Sequence, residues 1–156
     1  MAEFDENTAA GENDDTTKDR FLTFNIDSEA YGLEISSVKE IIEMVPITNV
    51  PESPEFVEGI INLRGDIIGV LDVRKRFLKT PRPYDGQTCI IVVEYEDNNL
   101  GLIVDSVNEV INIKDDNVSA PPSAKLNHYN QYIRNIGQTG NGVVLLLDLE
   151  KLLHLE

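Results

Sequence analysis

Few side chains in this sequence can do covalent or proton-transfer chemistry, and none stands in a pattern that organises it. Acyl or phosphoryl transfer needs a nucleophile, a base and an orienting group within reach of one another. His128 follows Pro121-Pro122 in a polar stretch and His154 lies in the last apolar segment, each without a nucleophile motif beside it. Cys89 opens the run CIIVV, where a small apolar side chain suits a buried strand and the thiol is expected to be inert. Gly137, Gly140 and Gly142 in IGQTGNG lack the lysine and following helix of a phosphate loop and read as a hairpin turn. Asp14-Asp15 and Asp115-Asp116 lack the ligand spacing of a calcium loop. One cysteine closes no internal disulfide, and two histidines build no His-rich metal site. No catalytic residue, metal or cofactor is expected, and the sequence points to a binding module.

For binding, the informative residues are Arg64, Glu40 and two valines. Arg64 stands in the turn of NLRGD within an acidic chain. Its planar guanidinium can clamp a carboxylate through two parallel hydrogen bonds, or be a solvated turn residue. Glu40 in VKEII has a counterpart, Glu109, at the equivalent place of an internal repeat, which equally fits a solvent-facing position. Val38 and Val107 are repeat mates between polar residues at the corner after the second strand of each half, where a valine is either core or left exposed for a partner.

The elements that must position these residues are mostly strands. FLTFNI and AYGLEI flank Asp27-Ser28-Glu29, GIINL and IIGVLDV flank Arg64-Gly65-Asp66, CIIVVEY and LGLIV flank Asp97-Asn98-Asn99, and Asn141-Gly142 precedes VVLLLDL. Short β-branched runs separated by such turn residues read as hairpins. Helical pattern is confined to SSVKEII, VRKRFL and LEKLLHL.

The chain also resembles itself. YGLEISSVKEIIEM (31–44) aligns with LGLIVDSVNEVINI (100–113), and DIIGVLDVRKRF from Asp66 aligns with GVVLLLDLEKLL from Gly142. The second alignment superposes Asp72 on Asp148, each expected to cap a short helix. About five short strands per half imply two small five-stranded β-barrels packed around a pseudo-twofold, since closure removes exposed edges. The expected subdomains run from about residue 20 to 80 and from 86 to 150, with a helix at 149–155.

Acidic residues outnumber basic ones 28 to 13, a net charge of -15, which opposes phosphate backbones and anionic membranes. With no tryptophan and 6% aromatic residues, an oligonucleotide-binding barrel is also poorly served. Residues 1–18 carry six acids and one lysine and read as a disordered acidic tail. No apolar run approaches the roughly 20 residues that span a bilayer.

From Arg20 to Leu153 the chain resembles the CheW-type chemotaxis coupling proteins. The resemblance rests on FLTFNIDSEAYGLEISSVKEII, VPESPEFVEGIINLRGDIIGVLDVRKRF, GLIVDSVNEVI and VLLLDLEKLL, the EGIINLRG stretch being the most specific. Gly69 departs from it, standing where many relatives carry proline. The resemblance implies an all-β fold of two five-stranded barrels, SH3-like or OB-like, with short helices. It also implies a non-enzymatic, cytoplasmic adaptor, recruited to receptor arrays at the inner membrane. That adaptor binds the cytoplasmic tip of chemoreceptors in a groove between its subdomains, and the regulatory domain of the histidine kinase CheA through barrel ends. Residue by residue, Glu40, Ile41, Arg64, Gly65 and Ile67 fall at or beside the receptor site, and Val38 and Val107 on the kinase-facing surface. Opposite charges on Arg64 and Glu40 can pair across the first barrel, in which case the arginine orients the site and does not itself contact the receptor. A CheW-like domain detached from a larger coupling or kinase protein is the alternative within the family, for which the chain is short.

Overall fold

A computed structural model describes residues 18–121 and 131–154, so His128, Asp14-Asp15 and nearly all of the acidic tail lie outside the described residues. In chain order the strands are β1 (Arg20–Ile26), β2 (Glu29–Glu34), β3 (Val38–Glu43), β4 (Val57–Leu63), β5 (Asp66–Asp72), β6 (Cys89–Tyr95), β7 (Asn98–Val104), β8 (Ser106–Asn112), β9 (Val118–Ser119), β10 (Ile133–Thr139) and β11 (Gly142–Leu147). Two short helices, α1 (Val73–Arg76) and α2 (Leu149–Leu153), follow β5 and β11. The all-β reading holds, and the hairpins β1–β2, β4–β5, β6–β7 and β10–β11 fall where turn chemistry placed them.

SSVKEII is not helical. Ile35–Ser37 make a single 3-10 turn and Val38–Glu43 form β3, paired antiparallel with β6. Its burial alternates with period two, and the β-branched Val38, Ile41 and Ile42 suit a pleated edge strand better than a helix.

The strands form two sheets, β3-β6-β7-β5-β4 and β8-β1-β2-β11-β10-β9. Reading β6, β7, β8, β10 and β11 as the repeats of β1, β2, β3, β4 and β5 turns one order into the other, with the two-residue β9 added, as the duplication requires. Each sheet nevertheless draws strands from both halves, so neither follows the expected boundaries at about 20–80 and 86–150. Connector length gives the reason. Only Asp105 separates β7 from β8, and even the tightest hairpin needs two loop residues, so the chain crosses to the neighbouring sheet instead of turning back. The 3-10 turn after β2 does the same in the first half.

Each sheet wraps its own interior. Barrel 1 (β3-β6-β7-β5-β4) encloses Ile61, Ile68, Val70, Ile90, Val92 and Ile103. Barrel 2 encloses Ile113, Val144 and Leu146. The largest apolar cluster lies between them, where Leu22, Phe24, Tyr31 and Leu33 of barrel 2 meet Leu71, Ile91, Val93 and Leu102 of barrel 1. Tyr31 stands within 5.7 Å of Phe24 and 5.3 Å of Phe77, centroid to centroid. Burial at this shared face is the main force holding the barrels together.

Candidate functional site

The β4–β5 hairpin turns through Arg64 and Gly65, both in the left-handed region at φ 51° and 94°. Gly65 takes this conformation without cost, and its N–H donates to Asn62 Oδ1 at 2.8 Å. The turn aims Arg64 across the open edge of barrel 1, where its Nη2 pairs with Glu40 Oε2 on β3. The pairing anticipated between these residues is present. Beside it, Thr48 and Ile60 exchange two backbone hydrogen bonds of 2.9 Å each. These two links close the seam between the edge strands. Ile41 (43% exposed) and Ile67 (59%) are apolar residues left at the surface of the same barrel.

Val38 and Val107 occupy a different setting. Both are half-buried and pack against the core between the barrels, Val38 opposite Val93 and Val107 opposite Phe24. Core packing accounts for these valines, and the structure does not bring them to the Arg64–Glu40 seam. Glu109, the repeat mate of Glu40, is exposed on β8.

The helix caps follow the sequence reading. Asp72 accepts from the N–H groups of Arg74 (2.8 Å) and Lys75 (3.4 Å), and Asp148 from that of Lys151 (3.2 Å). Burial raises the pKa of the Asp72 carboxyl above its ordinary value, against the lowering effect of a 2.8 Å hydrogen bond donated by the Tyr84 hydroxyl. Cys89 is half-buried and not fully buried as expected. Its thiol donates to Gln87 O at 3.2 Å, and burial pushes its pKa up, away from thiolate reactivity. His154 is exposed at the end of α2.

Sequence reasoning missed a charged junction at the opposite end of β5 from the Arg64 turn. The buried guanidinium of Arg74 donates to Asp27 Oδ1 (2.6 Å) in the β1–β2 turn, to Asp105 Oδ2 (2.7 Å) in the β7–β8 crossover, and to Thr80 O (2.6 and 3.0 Å). The hydrogen bond from Arg74 holds the Asp27 carboxyl below its usual pKa. Two residues on, Arg76 stacks over Phe56 (4.0 Å) and Tyr132 (5.0 Å) and donates to Leu152 O (3.0 Å) at the end of α2. The available signal was a break in the repeat, since Arg74 and Arg76 of VRKRF align with Glu150 and Leu152 of LEKLL.

A duplicated pair of strand-sharing barrels, with a charged seam on one and a shared apolar core, defines a scaffold class, the CheW-like domain. The family model described as "CheW-like domain" matches residues 20–156. The chemotaxis protein CheW of Klebsiella aerogenes is 31% identical over 142 residues, covering 91% of this chain and 86% of its own. That of Treponema pallidum is 32% identical over 137 residues, covering 85% and 81%. Among solved structures, the scaffolding protein TtCheW from Thermoanaerobacter tengcongensis superposes with a TM-score of 0.81 at 38% identity, covering 87% of this chain and 92% of that one. The chain belongs to the CheW family of chemotaxis scaffold proteins.

Proposed function

We propose that this chain is a non-enzymatic coupling protein of a cytoplasmic chemotaxis array at the inner membrane, binding the cytoplasmic tip of a chemoreceptor and the regulatory domain of the histidine kinase CheA. The observation that carries the receptor assignment is the Arg64–Glu40 pair across the seam of barrel 1. With side chains 67% and 34% exposed, the pair contributes at most about 1 kcal/mol to stability, so stability does not explain its residue types. An arginine at positive φ is also a costlier choice for a hairpin turn than glycine or asparagine. Both features suit a guanidinium held in place for recognition.

In this reading the paired Arg64 and Glu40 orient the site, Gly65 sets the turn, and Ile41 and Ile67 supply apolar area. A receptor tip is a helical hairpin, and apolar contacts with a few charges at the rim suit recognition of a helical surface. The rim charges set orientation and association rate more than affinity. Val38 and Val107 are assigned to the kinase-facing surface through their partly exposed edges, an assignment resting on the family resemblance.

The test is a binding titration of the full chain with a purified receptor cytoplasmic fragment and, separately, with the kinase regulatory domain. Saturable binding to both is expected, with Arg64→Ala weakening the receptor arm while leaving the kinase arm and the fold unchanged. Unaltered receptor binding in Arg64→Ala removes the seam from the receptor site. Failure of the folded wild-type chain to bind either partner overturns the coupling role.

A further inference from the structure

The two barrels share one plan but differ at their seams. Aligning β3 with β8 places Glu109 on Glu40 and Val110 on Ile41, and aligning β5 with β11 places Val143 on Ile67 and Gly140 on Arg64. Barrel 2 therefore keeps the acid, and it keeps both exposed apolar residues, Val110 at 39% and Val143 at 53%. It has glycine where barrel 1 has arginine. The backbone part of the seam survives, because Ser119 pairs with Ile136 as Thr48 pairs with Ile60.

Where barrel 1 is spanned by its ion pair, barrel 2 has an open cleft of about 450 Å3 between β8 and the tip of the β10–β11 hairpin, lined by Asn108, Glu109, Thr139, Asn141 and Val144. Glu109 is held firmly in it. The Thr23 hydroxyl donates to Glu109 O at 2.7 Å and accepts from Glu109 N at 3.2 Å, fixing the irregular part of β8 from which the carboxylate projects. Among the described residues, no ion pair engages that carboxylate.

We infer that the barrel 2 cleft receives an arginine side chain supplied by another protein, on an exposed turn with a small apolar neighbour, in place of the arginine that barrel 1 supplies for itself. The negative net charge and Glu109 attract a cation and repel phosphate or acidic peptides. A guanidinium can bond the carboxylate with two parallel donors and still reach the side-chain oxygens of Thr139 and Asn141, which a lysine ammonium matches in charge but not in shape. Ala30, Ile111 and Val144 line the cleft with apolar surface for the arginine stem, and the exposed Val110 and Val143 on the flanking strands β8 and β11 are left for the neighbouring side chain. The inference does not rest on the coupling role, because the two seams belong to different barrels.

The test is an NMR titration of the isotopically labelled full chain with a cyclic hairpin peptide whose tip reads Asn-Leu-Arg-Gly-Asn. A second peptide carries citrulline, which keeps the shape and loses the charge. Amide shifts are expected at Asn108, Glu109, Thr139 and Asn141. Affinity should fall at least about threefold with the citrulline peptide and with the Glu109→Gln protein. A Gly140→Arg protein fills the cleft from within and should bind more weakly; no Cβ clash opposes it, since nothing lies within 4 Å of that position. The same spectra report that each variant is folded. No shifts at millimolar peptide, shifts confined to the Arg64 seam, or equal affinity for arginine and citrulline peptides in both wild type and Glu109→Gln overturns the inference.

Discussion

Replacing Gly59 with alanine tests the closure of barrel 1 at a single atom. Gly59 sits at φ 149° in an irregularity of β4, and a Cβ built on it stands 2.0 Å from Thr48 O and 2.7 Å from Thr48 C. Ordinary contact needs about 3.4 Å, and the obstacle is backbone, so the Thr48 segment must move by more than an ångström. That movement breaks the two 2.9 Å hydrogen bonds between Thr48 and Ile60, which are the backbone link between the edges of the barrel. Each is worth about 1 kcal/mol net, and alanine at this φ adds roughly 1–3 kcal/mol of strain. The expected loss is about 3–5 kcal/mol, or on the order of 10 °C in Tm for a chain of this size. Urea denaturation followed by circular dichroism measures it. Gly69→Ala is the control, because its Cβ meets only the Leu100 side chain at 3.6 Å and should cost under about 1 kcal/mol. A Gly59→Ala protein as stable as Gly69→Ala would refute the steric argument and the seam it describes.

Other perturbations read the remaining parts of the structure. Arg74→Met removes the 2.7 Å guanidinium partner of the buried Asp105 carboxylate, which keeps the Asp27 N–H at 2.7 Å and Arg82 at 3.6 Å, and should destabilise by roughly 1.5–3 kcal/mol in thermal melts at pH 7; a loss under about 1 kcal/mol would show the junction to be dispensable. Because the folded pKa of Asp27 is lowered, its contribution is present above pH 3.8 and lost as pH falls through the folded value, so the gap between wild type and Arg74→Met should narrow under acid. Asp72 has the opposite sign: its folded pKa is raised, so its stabilising share is full below pH 3.8 and lost as pH rises through the folded value. Asp72→Asn keeps the cap, and its stability relative to wild type should improve between pH 3 and pH 7 in denaturation series. A double-mutant cycle on Arg64→Ala and Glu40→Ala should give a coupling of at most about 1 kcal/mol in stability, and a larger one in receptor binding if Glu40 positions the arginine.

The sequence carried those features whose causes lie within a few residues. Asp27-Ser28, Arg64-Gly65 and Asn141-Gly142 marked hairpins because turn chemistry is local, and Asp72 and Asp148 marked helix starts because a cap reaches only two or three residues ahead. The duplication was legible as matching runs, and Arg64 and Glu40 were singled out by their charge and place in it. SSVKEII misled because a short apolar segment fits a helical stripe and a half-buried edge strand equally well, and only the pairing with β6 decides between them.

What the tertiary structure alone decided is which edges meet. β1 pairs with β8 and β3 with β6, so each barrel is completed by strands from the other half, an outcome set by the one-residue crossover at Asp105 and by burial of the core between the sheets. Arg74 stands 47 residues from Asp27 and 31 from Asp105, and its role exists only once that exchange brings the β1–β2 turn against the β7–β8 crossover. The difference between the spanned and the open seam is of the same kind. The residues on both sides of each seam are plain in the sequence, but the charge of one side chain finds another only after the barrel has brought its edges together.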